Sequence, residues 1–390
     1  MILGNFDCIA GRDVCGWAWC PERPLEAQKV TVLLDGMVVC YGLANQHRPD
    51  LQAAGISQGN HAFYLRLPEA LMDGREGMLS IIAGAGNHPL GGTPVHVTLP
   101  NSRFRPVPPP RTAPPLTLAI CAIVRDEGPY LLEWIAHHRL LGVEHFVLFN
   151  NGSTDGTTQL LSALARVGVV DHVPWPDIPH VAAQRPAYIA GLARLSGRCR
   201  WVAFIDADEF LNPVDGGDVP SILADYDEAA GLVVPWRIFG SNGHQRHDDD
   251  LVMCRFTCRA AADHPLNRSV KTIVQARLVA EPDIHAPSIT NGSLIDEHGR
   301  VAGSQGHPSH HAVPDAHRLV LNHYFTKSRE EWRRKRNRGQ ATEPMDSGAR
   351  LRPDEHFMSH DINDVEDLSL VARADQVRDE MARLRDIMSS

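Results

Sequence analysis

The stretch Trp201-Val202-Ala203-Phe204-Ile205-Asp206-Ala207-Asp208-Glu209-Phe210 decides how this chain is read. An unbroken apolar run reads as a buried strand, and it leads straight into three acids interrupted by a single alanine. Acids at the C-terminal end of a strand lie where α/β sheets place their ligands. Side chains alternate in an extended segment, so Asp206 and Asp208 are expected to face the same side. Two carboxylates on one side suit a hard divalent cation, Mn2+ or Mg2+, that itself bridges phosphate oxygens. Such a cation neutralises charge building on a departing diphosphate. The alternative is a solvated acidic loop, and the buried strand that precedes the acids weighs against it.

Upstream of this stretch, strands and helices alternate. Leu118 to Val124 is a short apolar strand, followed directly by Arg125-Asp126-Glu127. Pro129 sits where a helix would begin, and Leu131, Trp134, Ile135, His138 and Leu141 follow at helical spacing. His145 to Phe149 is the next strand, and Thr154 to Val167 and Ala182 to Leu195 read as helices. This alternation implies a mostly parallel sheet with right-handed crossovers. Between the second strand and its helix lies Asn150-Asn151-Gly152-Ser153-Thr154-Asp155-Gly156-Thr157. Its glycines and short polar side chains suit tight turns, caps and free N–H groups, so Asn151, Ser153 and Asp155 can hold a nucleotide. A plain strand-to-helix turn explains the loop equally well. Three polar clusters at three successive strand ends nevertheless define one edge of the sheet as a binding edge.

The remainder of the chain is organised around a proline-rich segment, Asn101 to Pro115, which separates a front module from this domain. In the front module Val30 to Leu34 and Val38 to Tyr41 flank Asp35-Gly36, a hairpin turn signal, and short alternating segments recur up to Leu99. A small β-sandwich is expected. Ser328 to Arg338 reads as a charged helix and Asp364 to Met388 as an amphipathic one. The expected limits are 1–100 for the sandwich, 101–115 for the linker, 116–345 for the α/β domain and 346–390 for a helical tail.

Composition narrows the function. A net charge of -9 argues against general nucleic-acid binding, so no nucleic-acid partner is expected. No secretory signal is visible, and the best apolar run falls well short of the roughly 20 residues a membrane helix needs. A cytoplasmic protein is expected, with peripheral attachment at the inner face of a membrane left open. The eight cysteines are scattered and lack zinc-knuckle spacing, so they are read as ordinary thiols.

Taken together, the strand ending in Arg125-Asp126-Glu127-Gly128, the segment Leu131 to Thr157, Trp201 to Phe210, and Leu321 to Gly339 resemble bacterial glycosyltransferases of family 2 and family 92-like proteins. The resemblance covers roughly residues 116 to 375. It implies a GT-A, nucleotide-diphospho-sugar-transferase α/β fold and an inverting enzyme. It places a donor nucleotide near Arg125, Glu127, Asn151 and Asp155, and a metal–diphosphate site at Asp206 and Asp208, with His323 as a third metal ligand. Lys327 and the run from Arg333 to Arg338 are candidates for the diphosphate or for anionic lipid headgroups. Relatives often carry Asp-Asp or Asp-Asn where Asn150-Asn151 stands, which leaves the donor base open. Trp236 is a candidate for stacking on a sugar ring. The catalytic base is not assigned among Glu209, Asp248, Asp249, Asp250, Asp296 and Glu297. The histidine-rich loop Gly306 to His311 is a weaker candidate for metal. The expected partners are a nucleotide-sugar donor and a glycan, polysaccharide or glycolipid acceptor. Two other readings stand beside this one: an inactive glycan-binding scaffold, and a metal-dependent nucleotidyl or phosphoryl transferase.

Overall fold

The structure, a computed structural model, describes residues 2–10, 12–99, 105–302 and 316–390. The histidine-rich loop at 306–311 lies outside them. The described residues fall into two compact units.

The first unit is all-β. One antiparallel sheet runs Leu3–Ala10, Asp13–Trp19, Asn60–Arg66, Gln46–His47; the other runs Met37–Ala44, Gln28–Leu34, Glu76–Ala83, with two short strands beyond. Asp35 and Gly36 both take positive φ, 51° and 80°, which is what a two-residue hairpin turn requires. Val14, Val30, Val32, Phe63, Leu79 and Ile81 form one apolar core between the sheets. The first two strands carry little alternation and were not anticipated from the sequence.

The second unit is built on one large sheet. Strands β1 (Leu116–Val124), β2 (His145–Asn150), β3 (Val170–Pro174) and β4 (Cys199–Phe204) are parallel and lie in the order β3-β2-β1-β4. They are linked by helices α1 (Gly128–Leu140), α2 (Thr157–Arg166) and α3 (Gln184–Leu195). The chain thus winds one way from β1 to β3 and then crosses to the other side of β1. A crevice opens at such a reversal, at the C-terminal ends of β1 and β4. The sheet continues through β7 (Val270–Gln275), β6 (Gly231–Ile238), β8 (Leu319–His323) and β5 (Glu209–Pro213), in that spatial order. Here β7 is antiparallel to β4 and β6, and β5 is antiparallel to β8. The sheet is therefore mixed, where the sequence pattern suggested a mostly parallel one. Among the described residues the connections from β5 to β8 carry only short helical turns; β7 pairs antiparallel, and the parallel pairing of β6 with β8 spans a long excursion of the chain. The full helices wind β1 to β4, which are parallel throughout, whereas the rest of the sheet mixes antiparallel pairs with the parallel pair β6 and β8, and the arrangement is that of a GT-A domain.

Two further differences concern the ends of this unit. Val107, within the proline-rich segment, is buried against Ala230 and Leu278, and its N–H donates to the Glu228 carbonyl at 2.8 Å. From Arg105 onward the segment is thus docked on the second unit rather than spanning free space. The last helix, α5 (Ala374–Ser389), is shorter than its periodicity suggested. Before it, Val365–Glu366 pairs with Cys258–Arg259, and Asp367 accepts from Arg259 Nε at 2.6 Å, which holds that stretch extended. Helix α5 packs on α1, so α1 is buried almost all round. Among the described residues no helix is long and apolar enough to cross a membrane, and all eight cysteines are unbridged.

Candidate active site

After β4 the chain turns tightly rather than staying extended. The Glu209 N–H donates to the Asp206 carbonyl at 3.1 Å, and the Asp206 N–H donates to Glu209 Oε2 at 2.8 Å. The turn is pinned from below by Trp134 of α1, whose indole N–H donates to the Glu209 carbonyl at 2.7 Å. Asp206 and Asp208 still open on the same crevice, for a different reason from the alternation expected: the turn lifts both above the strand end.

That crevice is a cleft of about 320 Å3. One wall is Arg125, Glu127 and Asn151, from the ends of β1 and β2; the floor is Asp206, Asp208, Lys271 and His323. Trp236 and His285 form a second wall. A third comes from helix α4 (Arg329–Arg338) and the chain after it: Lys335, Arg338, Gly339, Arg352, His356 and His360.

The charges in the cleft are matched. Lys271 Nζ donates to Asp206 Oδ2 at 2.8 Å, while Gln184 Nε2 donates to Oδ1 at 3.0 Å. Lys335 Nζ makes a very short hydrogen bond to Asp208 Oδ2 and donates to the Phe325 carbonyl at 2.8 Å. Arg338 pairs with Glu127 and donates to the Asp126 carbonyl at 2.8 Å. Burial alone would raise both aspartate carboxyls; Lys271 beside Asp206, and Lys335 with His323 beside Asp208, outweigh it and hold both below the ordinary range. Burial pushes the Lys335 ammonium down to about 8 against the pull of Asp208. Arg352 is the cation left over: its guanidinium donates to the Gly339 and Lys335 carbonyls, at 2.6 and 3.4 Å, and among the described residues no carboxylate pairs with it.

The other residues singled out in the sequence are placed as follows. Glu209 is fully buried beneath the turn, and burial raises its carboxyl well above the ordinary range in spite of Lys271. Asp155 accepts from the Gly128 and Thr157 N–H groups, at 3.0 and 2.8 Å, and fixes the starts of α1 and α2. Ser153 accepts from the Asp126 N–H at 3.0 Å. Neither lines the cleft. Asn150 is also a turn residue, its amide donating to Thr158 Oγ1 at 2.8 Å. Lys327 lies outside the cleft too, its ammonium 4.4 Å from the Tyr130 ring centroid in a neighbouring cavity of about 360 Å3. Asp296 is tied to Arg300 at 2.6 Å, and Glu297 accepts from the His317 and Arg318 N–H groups at 2.7 and 2.9 Å. These two and Asp248, Asp249 and Asp250 are not part of the cleft.

Sequence reasoning passed over Gln184, Lys271, His285, Arg352, His356 and His360. One signal was available: Lys271 is the only charge in the apolar run Val270–Gln275, and a fully buried lysine is rare unless paired.

The donor set of Asp206, Asp208 and His323 suits Mn2+ or Mg2+ chemically. His323 Nε2 lies 3.7 Å from Asp208 Oδ2, and its Nδ1 is buried without a partner. Among the described residues no three acids, histidines or cysteines already converge as a metal cage. A cation held by these residues would share Asp208 with Lys335.

The sequence profile of glycosyltransferase family 92 matches residues 115–347. The chain belongs to glycosyltransferase family 92. A family 92 protein of Ricinus communis is 28% identical over 248 residues, 62% of this chain and 41% of the relative. One of Oryza sativa subsp. japonica is 27% identical over 181 residues, 45% of this chain and 28% of the relative. The chain thus spans less than half the length of these curated relatives. They are plant proteins, and a bacterial affiliation draws no support from them. Among solved structures, S. aureus TarS 1-349 in complex with UDP is 15% identical, with a TM-score of 0.28 over 49% of this chain and 53% of that one. The glucosyl-3-phosphoglycerate synthase of Mycobacterium tuberculosis, solved with Mn2+ and UDP, is 19% identical, with a TM-score of 0.22 over 31% of this chain and 44% of that one. Overlays this loose assign no residue a role.

Proposed function

We propose that this family 92 chain is a metal-dependent, inverting glycosyltransferase that moves a sugar from a nucleotide-sugar donor to a glycan, polysaccharide or glycolipid acceptor on the cytoplasmic side of a membrane. The observation that carries the reading is the charge pattern of the cleft: three carboxylate–cation pairs with one half-buried guanidinium, Arg352, in excess. A cleft whose matched charges leave one cation over is built to receive an anion, and a nucleoside diphosphate is the anion that also suits the flanking nucleoside wall.

Arg125 and Asn151 are both tied to Asp177, at 2.7 and 3.0 Å, which gives the nucleoside wall a fixed shape. The bound base and ribose would lie against them. Arg352, Arg338, Lys335 and Lys271 would then surround the diphosphate and stabilise the charge that collects there as the sugar leaves. Asp206, Asp208 and His323 would hold a divalent cation, which when bound adds Lewis-acid neutralisation of the leaving group.

Calorimetric titration of a panel of nucleotides and nucleotide-sugars, with Mn2+ and with EDTA, tests this on wild type and Asp208→Ala. Metal-dependent binding of one nucleotide that is lost in Asp208→Ala is the expected result. Because a lysine already sits on each aspartate, equal binding in EDTA would mean that the ammonium groups alone neutralise the diphosphate. Binding of no nucleotide under either condition would sink the transferase reading in favour of a glycan-binding scaffold.

A further inference from the structure

Moving a sugar with inversion requires a base for the acceptor hydroxyl, and most acids of the cleft are already committed. Asp206, Asp208 and Glu127 each hold a cation. Lysine and arginine carry no usable lone pair when charged. The search therefore narrows to the histidines. His323 faces Asp208. His360 lies ring against ring on Phe325, centroids 4.3 Å apart, and burial lowers it to about 4, which makes it a feeble base. Among the described residues His356 has no side-chain hydrogen bond that fixes its ring.

We propose that His285 is the catalytic base that takes the proton from the acceptor hydroxyl, an assignment that rests on the transferase reading above. Its Nδ1 lies 2.9 Å from the Val270 carbonyl. A carbonyl only accepts, so Nδ1 carries the proton and Nε2 presents a lone pair. This is the tautomer a general base needs, and the backbone sets it. The ring is further held edge-on to Trp236, centroids 5.7 Å apart. The Trp236 indole N–H is buried without a partner, a donor free for a hydroxyl of the sugar or acceptor.

The placement follows from strand order. Nucleoside-wall residues stand at the ends of β1 and β2, and the acid pair follows β4. His285 is bonded to the first residue of β7, the neighbour of β4 on the opposite side from β1. Along the binding edge the order is therefore nucleoside, diphosphate, then sugar and acceptor beside His285. Burial, and next to it the Lys271 ammonium, lower the ring below its ordinary value, against the pull of Asp206 and Asp283. His285 is thus neutral, with its lone pair available, at neutral pH.

The step balances. The acceptor oxygen forms a bond to the anomeric carbon while the bond from that carbon to the diphosphate oxygen breaks. The electron pair departs with the nucleoside diphosphate, and the hydroxyl proton goes to Nε2, leaving an imidazolium.

The test uses the full chain, with water standing in for the acceptor. Nucleotide-sugars with Mn2+ are followed for release of nucleoside diphosphate from pH 5 to 9, and donor binding is measured separately by calorimetry. His285→Ala and His285→Gln are expected to bind donor within about twofold of wild type. Release should fall by about a hundredfold or more, the range of a lost general base. The acidic limb of the wild-type pH profile should vanish in both variants, and added imidazole should restore part of the rate in His285→Ala. Wild-type release rates in the two variants overturn the assignment. So does a wild type that binds donor but releases none, because a base poised in the cleft would activate water. Failure of the wild type to bind any donor is a different result: it removes the transferase reading itself.

Discussion

Helix α4 carries Lys335 and Arg338 into the cleft, so whatever anchors α4 governs the site. Its anchor is Glu331. That carboxylate receives both arms of Arg255, at 3.0 and 2.9 Å, with both side chains almost fully buried. It also closes a capping box with Ser328, whose N–H donates to Glu331 Oε2 at 3.0 Å. Burial would raise the Glu331 carboxyl; the hydrogen bonds from Arg255 and Ser328 overcome it and hold it far below the ordinary range. Arg255→Met keeps the bulk of the side chain and removes its charge, leaving a buried carboxylate with only the Ser328 N–H and the His247 ring, 3.2 Å away, beside it. The cost of breaking one side of a buried pair is about 3–5 kcal/mol. For a domain of this size that is a fall in Tm of about 10 °C in the second unit's transition. The pH dependence gives the sharper test. A depressed carboxyl stabilises the fold above its unfolded pKa of about 4.3, and that stability is lost as pH falls. In Arg255→Met the stranded Glu331 escapes its penalty by taking up a proton. The gap between variant and wild type should therefore be widest near pH 8 and shrink towards pH 5. Thermal unfolding followed by circular dichroism at both values measures it. The double variant Arg255→Met/Glu331→Gln, which keeps the capping box but has no charge to strand, should recover most of the loss. A gap below about 1 kcal/mol, or one that is equal at pH 5 and 8, would refute the argument, since every term in it runs through an uncompensated charge.

Two further outcomes follow from the same charge pattern. Arg352→Met should weaken binding of the nucleoside diphosphate by about 10–100-fold, the value of one or two charge-assisted hydrogen bonds, while the matching nucleoside loses little; calorimetry with both ligands separates the diphosphate contribution from general damage. Glu209→Gln should cost little stability near pH 7, because burial already favours the neutral form of the native carboxyl. A raised carboxyl stabilises least at high pH, so the Gln variant should gain on wild type as pH rises above about 4.3, which urea denaturation at pH 6 and 9 would show.

Three of the four parallel strands of the second unit, β1, β2 and β4, were legible because their signals are local, whereas β3 (Val170–Pro174), with Asp171 and His172 inside it, was not read as a strand. Apolar runs of strand length, each followed by a polar loop and then residues at helical spacing, indicate both element type and crossover direction. Asp206, Asp208, Arg125, Glu127 and Asn151 were found for the same reason: each follows a strand, and parallel strands bring their ends to one edge. The antiparallel half was not legible. Nothing in Val270–Gln275 says which strands it joins, so Lys271 could not be placed beside Asp206. Ser153, Asp155 and Lys327 show the converse ambiguity. Their residue types suit ligand binding, but caps and turns use the same chemistry, and only coordinates tell a hydroxyl that caps a helix from one that faces a cleft.

The cations explain why the acid pair alone under-describes this site. Asp206 and Asp208 are local in sequence, whereas their partners arrive from β7 and from α4, about 65 and 127 residues downstream. Burial raises each aspartate carboxyl and its lysine is the foremost influence that lowers it. A metal and the lysines would therefore compete for the same two carboxylates, and a diphosphate would compete with those carboxylates for the lysines, so occupancy by one changes affinity for the others. Removing Lys335 should accordingly act in two opposed ways: Asp208 is freed for a cation, but the diphosphate loses an ammonium. The sign of the net change in donor affinity in Lys335→Met, measured with Mn2+ and again in EDTA, tells which of the two charges the enzyme depends on.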